Sequence, residues 1–274
     1  MVIVRLKGGL GNQMFEYAAG RSKALNMRTS LLLDTTFLND PLIPKLIHIT
    51  PRSYALDLFI FQPRFTVLSR LSFALPIPLV WPALSLIAEK FGRLCDRQTV
   101  YLKDYFQDEK YFKDNADVIR NDFTFKNPLS PEAEKIAADI RSTESICLHV
   151  RRWDYVTDPK AAVHHGFVGS GDYYPRAIKL MEEKIKNPHF FVFSDDINWC
   201  RENLKISHPT VFVSAGADDM HLMTLCKHFI IANSSFSWWA AWLGNALNKT
   251  VIAPKVWYRS QSSGGLVPAT WIQI

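Results

Sequence analysis

The stretch SICLHVRRWDY, residues 145–155, decides the fold class of this chain. Apolar side chains alternate along it with Cys147, His149 and Arg151, which is the period of a β-strand whose successive side chains point to opposite faces. We therefore predict a strand over 145–151, with His149 and Arg151 on one face at its carboxyl end.

Strands and helices alternate after this one. The predicted strands lie at 189–194, 210–213, 228–232 and 250–253, and the predicted helices lie near 173–186, 197–204, 218–226 and 236–247. Before it, Ser130 and Pro131 begin a helix as its N-cap and first helical residue. This alternation is typical of a parallel sheet flanked by helices, in which ligands bind at the carboxyl ends of the strands.

The beginning of the chain has a similar pattern. A strand at 2–6 leads through a glycine turn into a helix from about Met14, and a further strand follows at 29–33. Residues 36–98 hold most of the prolines and are predicted to form loops and short helices. An α/β protein of two domains is expected. The predicted domains are 1–140 and 141–274.

The 274 residues carry a net charge of +6 and a pI of about 9.1. This excess suits an anionic substrate, an anionic membrane surface or simple solubility. Nucleic acid is not favoured as a partner, because no arginine-rich run or recognised nucleic-acid module accompanies the charge.

The four cysteines form neither a C-x-x-C pair nor a cluster with the spacing of a metal site. Cys147 and Cys226 fall in apolar patterns and are expected to be buried free thiols, which favours a reducing cytoplasm. The first strand begins at Val2, so no secretory signal is expected.

Residues 73–87 are almost entirely apolar but contain three prolines. Prolines interrupt the backbone hydrogen bonds of a helix, and a membrane span needs roughly 20 apolar residues, so we reject a spanning helix. The stretch is either a buried irregular insert or a surface that contacts a membrane or a partner. Basic residues flank it at Arg64, Arg70, Lys90 and Arg93, which keeps peripheral contact with the inner membrane open.

The predicted strand at 145–151 ends with Arg151, and Arg152 and Asp154 follow it. Adjacent guanidinium groups suit a diphosphate, because they match phosphate oxygens bidentately and never lose their charge. The alternative is an ion pair between Arg152 and Asp154 that only closes the end of the strand.

The turn GGLGNQ at 8–13 lies between a strand and a helix. It is not a dinucleotide fingerprint, because residue 14 is methionine where a glycine is needed, and it lacks the lysine of a P-loop. It is either a plain turn or one that brings Gly11, Asn12 and Gln13 close to a ligand at a helix N-terminus.

Two more strand ends carry polar groups. After strand 228–232, the hydroxyl and N–H groups of Ser234, Ser235 and Ser237 suit an anion at the start of a helix. The tryptophans that follow, Trp238, Trp239 and Trp242, are expected in the core. After strand 189–194, we assign Asp195 to a guanine edge and Asp196 to the cap of the next helix.

No D-x-D triplet of the kind that holds a divalent cation occurs, and the adjacent His164 and His165 cannot share a metal as an i, i+4 pair would. No metal and no cofactor are therefore expected. Arg151, Arg152 and helix N-termini are expected to stabilise a leaving diphosphate while the sugar carbon becomes cation-like.

Four segments together resemble glycosyltransferase family 11, the bacterial and animal α-1,2-fucosyltransferases. They are GGLGNQMFEYA at 8–18, HVRRWDY at 149–155, FSDDINWC at 193–200 and NSSFSWWAAWL at 233–243. The resemblance implies a GT-B fold, in which two Rossmann-like domains face a cleft, with 1–140 on the acceptor side and 141–274 binding the donor. It also implies metal-independent, inverting transfer from GDP-β-L-fucose.

By position, the resemblance implies that Arg151 holds the donor diphosphate, that His149 and Asp195 contact guanine, and that Asn12 lies near the reacting centre. Trp153 stands where glycine is commoner, which bears on acceptor preference.

Inversion needs a group that takes the proton of the acceptor hydroxyl. Asp154 is our candidate base, although it could equally orient Arg152. Glu16 replaces a frequent glutamine, and little consequence is expected.

We expect a cytoplasmic enzyme that fucosylates the 2-hydroxyl of a terminal galactoside, on an oligosaccharide or a lipid-linked glycan, in surface-polysaccharide or glycan synthesis. The alternatives are a fucosyltransferase of another linkage, such as α-1,6, and a non-catalytic protein that binds a sugar nucleotide or a glycan.

Overall fold

The computed structural model of the chain describes residues 1–40, 42, 50–75, 77, 79–95, 98–152, 156, 168–214, 216–258 and 265–274. The chain forms two compact units, Met1–Asn127 and Pro128–Ile274. Trp153, Asp154, His164 and His165 lie outside the described residues.

The first unit is built on three parallel strands in the order β2-β1-β3. These are β1 (Val2–Arg5), β2 (Leu31–Asp34) and β3 (Val100–Leu102). Its helices are α1 (Leu10–Asn26), α2 (Val67–Ala74), α3 (Val80–Cys95) and α4 (Ala116–Asp122). Short 3-10 helices lie at Leu56–Leu58, Glu109–Tyr111 and Lys113–Asn115.

α1 lies close against this sheet because it carries a glycine at the contact. A Cβ at Gly20 would stand 3.1 Å from the Cβ of Val4 and 3.0 Å from Cδ1 of Leu31. Most of the helix is buried, in keeping with the apolar spacing that predicts it.

A buried carboxylate joins three elements of the first unit. Asp34, at the end of β2, accepts hydrogen bonds from the N–H and hydroxyl of Thr36 at 3.0 and 2.7 Å and from the Ser85 hydroxyl at 2.6 Å. The hydroxyl of Tyr101 also donates to it, and Arg5 lies 3.7 Å away. Burial opposes ionisation, but the hydrogen bonds from Ser85, Tyr101 and Thr36 hold the pKa of Asp34 below its usual value.

The prediction of loops and short helices over 36–98 is only partly right, because α3 has 16 residues. Pro82 is its third residue, where the missing N–H belongs to the first turn and removes no helical hydrogen bond. Exposed apolar side chains follow along both α2 and α3, so the stretch 73–87 is not the buried insert of the first alternative. Among the described residues, no helix combines the length and hydropathy of a membrane span.

The second unit is a six-stranded parallel sheet with helices between its strands. Its strands are β4 (Glu144–Val150), β5 (Pro188–Ser194), β6 (Thr210–Ser214), β7 (His228–Ile230), β8 (Val251–Ala253) and β9 (Ile272–Gln273). Its helices are α5 (Pro131–Ser142), α6 (Tyr173–Lys184), α7 (Ile197–Asn203), α8 (Asp219–Leu225) and α9 (Ser235–Leu243). The strand order β6-β5-β4-β7-β8-β9 is the doubly wound Rossmann order.

The start of α5 is the one predicted from Ser130 and Pro131. The Ser130 hydroxyl accepts the N–H of Ala133 at 3.3 Å and donates to Asp218 at 2.7 Å. Because α5 packs on β4 and α8, it belongs to the second unit. The unit boundary at 127–128 therefore precedes the predicted domain boundary at 140–141.

Candidate active site

The carboxyl ends of β4 and β7 mark the point where the strand order of the second unit reverses. β4 is followed in sequence by β5 on one side, and β7 is followed by β8 on the other. In a doubly wound sheet, the ligand crevice lies at the carboxyl ends of the two strands where the order reverses, which here are β4 and β7. The predicted donor-binding residues of this unit lie on these segments and at the end of β5.

Register fixes the first arginine after β4. The last pair of the β4–β5 ladder is Val150 with Ser194, and one further step places Arg151 beside Asp195. Nη1 of Arg151 lies 3.0 Å from Oδ2 of Asp195, and Oδ1 accepts the N–H of Arg152 at 2.9 Å. Arg151 keeps 29% of its side-chain surface exposed, so Asp195 orients a guanidinium that a ligand can still reach.

This arrangement changes the role expected of Asp195. Both of its carboxylate oxygens face Arg151 or the Arg152 N–H. The predicted contact between Asp195 and a guanine edge would need one of these interactions to open.

Arg152 has a more structural environment. It pairs with Asp196, and its guanidinium lies 5.5 Å from the centre of the Trp199 ring. Asp196 also accepts the N–H of Trp199 at 3.1 Å as the N-cap of α7, which confirms the predicted cap. The ion-pair partner of Arg152 among the described residues is thus Asp196.

His149 joins the end of β4 to the start of α9. Its carbonyl accepts the hydroxyl of Tyr174 at 3.1 Å, and its ring lies 5.9 Å from the ring of Phe236. Burial, reinforced by the charge of Arg151, lowers the pKa of His149 to about 3. Its buried Nδ1 has no hydrogen-bond partner among the described residues. His149 therefore offers a ligand a neutral ring nitrogen.

The start of α9 supplies N–H groups rather than a capped helix end. Ser234 is the N-cap residue, but among the described residues its hydroxyl makes no capping hydrogen bond. The Ser237 hydroxyl donates to the Ser234 carbonyl at 3.3 Å and is buried, while Ser235 is half-buried. The first-turn N–H groups and the positive end of the helix dipole suit an anion.

The tryptophans of α9 are core residues, as predicted. Trp238 and Trp239 are fully buried and Trp242 nearly so.

The glycine turn belongs to the first unit and becomes the first turn of α1. The carbonyl of Gly9 accepts the N–H groups of Asn12 and Gln13 at 3.0 and 3.1 Å, so the helix begins earlier than the predicted Met14. Gly8 has φ +74°, and a Cβ there would stand 2.6 Å from Nδ2 of Asn12. A glycine is needed at that position on both counts.

Asn12 is half-buried at the carboxyl end of β1, and Gly11 is buried. Oδ1 of Asn12 accepts Nε2 of Gln107 at 2.8 Å. Gln107 follows β3, a strand of three residues whose pattern is too short to predict, and sequence reasoning missed it for that reason.

Gln13 is a structural residue in this conformation. Its amide nitrogen donates to the carbonyls of Gly8 and Ser53 at 2.9 and 2.8 Å, and its oxygen accepts the N–H of Ala55 at 3.0 Å. A contact between the Gln13 side chain and the donor, as predicted, would require these bonds to break.

Glu16 was expected to matter little, but it is a fully buried carboxyl group on α1. Oε2 accepts the N–H of Lys7 at 2.9 Å, whereas Oε1 has no hydrogen-bond partner among the described residues. Burial raises the pKa of Glu16 well above its usual value, although the Lys7 N–H and the Lys7 charge oppose this. The only sequence signal was the glutamate itself, in place of a residue without charge.

The described residues contain no group of three or more His, Cys, Asp or Glu side chains placed to hold a metal ion. Cys147, Cys200 and Cys226 are buried free thiols, which confirms the prediction for two of them.

The Glycosyl transferase family 11 model matches residues 1–273 of the chain. The chain belongs to glycosyl transferase family 11. This family 11 enzyme is 32% identical to an alpha-1,2-colitosyltransferase of Escherichia coli, over 100% of this chain and 99% of that protein. It is 31% identical to the O-antigen biosynthesis glycosyltransferase WbnK of Escherichia coli, over 98% of this chain and 99% of that protein.

A galactoside alpha-(1,2)-fucosyltransferase 1 of Rattus norvegicus is 32% identical over 48% of this chain and 39% of that protein. Family membership makes the chain a glycosyltransferase of the fucosyltransferase type, against the non-catalytic alternative.

The fold has solved counterparts. The crystal structure of fucosyltransferase NodZ from Bradyrhizobium has a TM-score of 0.51 at 15% identity, covering 88% of this chain and 91% of that chain. Together with the two parallel α/β sheets, this likeness confirms the predicted GT-B-type α/β class.

Glu16→Gln is expected to stabilise the family 11 enzyme at neutral and alkaline pH. Because the pKa of Glu16 is raised in the folded state, the wild type loses stability as pH rises above the ordinary pKa of a carboxyl group. Glutamine removes that loss. Thermal unfolding should show a gain on the order of 1 kcal/mol at pH 8, shrinking toward pH 5. Glu132→Gln, on an exposed residue of α5, is the matched control. If the stability of wild type and of Glu16→Gln changed equally with pH, a raised pKa at this buried carboxyl group would be contradicted.

Proposed function

We propose that this enzyme transfers L-fucose from GDP-β-L-fucose to the 2-hydroxyl of a terminal galactoside, with inversion and without a metal ion. The observation that carries the proposal is the placement of Arg151 and the start of α9 at one crevice of a doubly wound sheet. A diphosphate there meets the Arg151 guanidinium and first-turn N–H groups that have no partner within the helix, which is what a departing nucleotide needs.

The proposed donor site uses the residues of the second unit. The diphosphate lies against Arg151 and the backbone N–H groups of Ser235 and Ser237, with Ser234 beside them. His149 is proposed to contact guanine through a neutral nitrogen, since its pKa near 3 keeps it uncharged. Asp195 holds the Arg151 guanidinium and accepts the Arg152 N–H, and Asp196 holds the Arg152 side chain.

Charge development explains why these groups suffice. As the bond between fucose and phosphate lengthens, the sugar carbon becomes cation-like and negative charge grows on the diphosphate. Groups that are already oriented stabilise that charge without reorganising. A general base is proposed at Asp154. Gly11, Asn12 and Gln13 remain proposed donor contacts, and Gln13 would give up its present side-chain hydrogen bonds to make one.

The relatives support the linkage more firmly than the donor sugar. Two of them are named for α-1,2 transfer, but one transfers colitose and the other fucose. Colitose differs from fucose by the absence of the hydroxyl at C3. Colitosyl transfer is therefore the second candidate, favoured by the relative that matches the whole chain.

The acceptor is proposed from the names of two relatives. The relative in Rattus norvegicus is named for transfer to a galactoside, and WbnK is named for O-antigen biosynthesis. A galactoside at the end of an oligosaccharide or a lipid-linked glycan is therefore the proposed acceptor, in the cytoplasm. The α-1,6 alternative is supported only by similarity of fold to NodZ, which is named as an alpha-1,6-fucosyltransferase and is 15% identical.

Purified enzyme is expected to release GDP from GDP-fucose in the presence of lactose or a related β-galactoside, with unchanged rate in excess EDTA. Linkage analysis of the product should show α-1,2-fucose. GDP-colitose, assayed in parallel, should have a kcat/KM at least about tenfold lower, because a site that hydrogen-bonds a hydroxyl rejects the analogue without it. A preference for colitose would overturn the donor, and strict dependence on Mn²⁺ would overturn the arginine mechanism.

Arg151→Ala is expected to lower kcat/KM by about 30-fold, the effect of roughly 2 kcal/mol of lost transition-state stabilisation. Arg151→Lys should recover only part of this, because an ammonium cannot bind phosphate bidentately. Arg141→Ala, an exposed arginine at the end of α5 just before β4 begins, is the control of equal charge. Rates for Arg151→Ala within about threefold of the control would remove Arg151 from the mechanism.

A further inference from the structure

The helix pair α2–α3 has its polar face turned inward. Ser69, Ser72 and Ser85 are buried. The Ser69 hydroxyl accepts the N–H of Thr35 at 2.9 Å, and the Ser72 hydroxyl accepts Nδ2 of Asn39 at 2.8 Å. The Ser85 hydroxyl donates to the buried carboxylate of Asp34. These hydrogen bonds join the serine-bearing side of both helices to the rest of the first unit.

The outward face of the same pair is apolar. The exposed large apolar side chains on the two helices are, among the described residues, Val67, Leu71, Val80, Leu84, Leu86 and Ile87. Val67 is 72% exposed, Leu86 is 45% and Ile87 is 51%. A helix on the surface of a protein in water has the opposite pattern, with its apolar side toward the core. Single exposed apolar residues are ordinary, but a continuous set on two neighbouring helices marks an interaction surface.

The charge around this face has one sign. Glu89 is the single acidic residue between 58 and 95 in the sequence. It is buried and lies 3.2 Å from Nζ of Lys103. Arg64, Arg70 and Lys90 are exposed. The face therefore presents apolar side chains edged by cations, without an exposed acid among the described residues.

We propose that the outward face of α2–α3 docks on the surface of an anionic lipid bilayer. Basic residues beside apolar side chains match anionic headgroups over acyl chains. The helices have 8 and 16 residues, about 12 and 24 Å of helix, and a bilayer core is about 30 Å thick, so they lie on the surface. A second copy of the chain fits less well, because a symmetric contact brings the same positive edge against itself.

Docking of this face on a bilayer does not depend on which donor or linkage the enzyme uses. Its test is sedimentation of the full chain with two kinds of vesicle, phosphatidylcholine alone and phosphatidylcholine with about one-third phosphatidylglycerol. Wild type should bind the anionic vesicles at least about tenfold more tightly than the neutral ones. Added salt should weaken that binding.

Two pairs of variants separate the causes. Leu86→Ser/Ile87→Ser should weaken binding to anionic vesicles by about tenfold or more. The matched control, Leu247→Ser/Val256→Ser, changes residues of the second unit that are 92% and 58% exposed and should leave binding unchanged. Arg70→Gln/Lys90→Gln should remove the preference for anionic vesicles. Unchanged melting temperatures and donor turnover in solution show that each variant is folded.

Equal vesicle binding by wild type and Leu86→Ser/Ile87→Ser would overturn the proposal, as would the absence of binding to both kinds of vesicle. Light scattering gives the remaining outcome. A wild-type dimer that becomes a monomer in Leu86→Ser/Ile87→Ser would assign the face to a second copy of the chain and would also overturn it.

Discussion

The pairing of Arg151 with Asp195 is the interaction on which the account of the site depends. It arises from register, because parallel strands β4 and β5 end together and the next residue of each brings opposite charges to 3.0 Å. An unpaired guanidinium at a half-buried strand end would be free to adopt many rotamers. Asp195 selects one of them before a ligand arrives, which lowers the ordering cost of binding. The pair also explains why the Arg151 guanidinium keeps a single orientation.

The remaining groups of the site divide between charge and shape. The start of α9 contributes the partial positive charge of a helix N-terminus, and Arg151 contributes a full positive charge. His149 contributes none, because burial and the neighbouring guanidinium hold its pKa at about 3. Arg152 is occupied by Asp196 and the Trp199 ring. The full positive charge that the crevice offers a ligand is therefore that of Arg151, although the motif contains two arginines.

Sequence patterns predicted most of the second unit but only the beginning of the first. The strands from β4 to β8 were predicted within two residues, because buried parallel strands give continuous apolar runs between clear helix starts. β3 and β9 have three and two residues, too few to show any period. Residues 36–98 gave no clean pattern because α2 and α3 bury serines and expose leucines, the reverse of the usual amphipathic rule.

At the site, residue types and strand ends were predictable, but partners were not. The positions of His149 and Arg151 follow from alternation along one strand. The pairing of Asp195 with Arg151 depends on the register between two strands, which no local pattern contains. The side-chain hydrogen bonds of Gln13 were not predictable for the same reason, since they join it to Gly8, Ser53 and Ala55.

The chain belongs to glycosyl transferase family 11, and its donor diphosphate is proposed to bind at the end of β4. The most direct measurement is a crystal structure of the enzyme with GDP. We predict diphosphate oxygens within hydrogen-bonding distance of the Arg151 guanidinium and of the backbone N–H groups at 235–237. A diphosphate bound elsewhere, with the Arg151–Asp195 pair undisturbed and the start of α9 empty, would contradict the account.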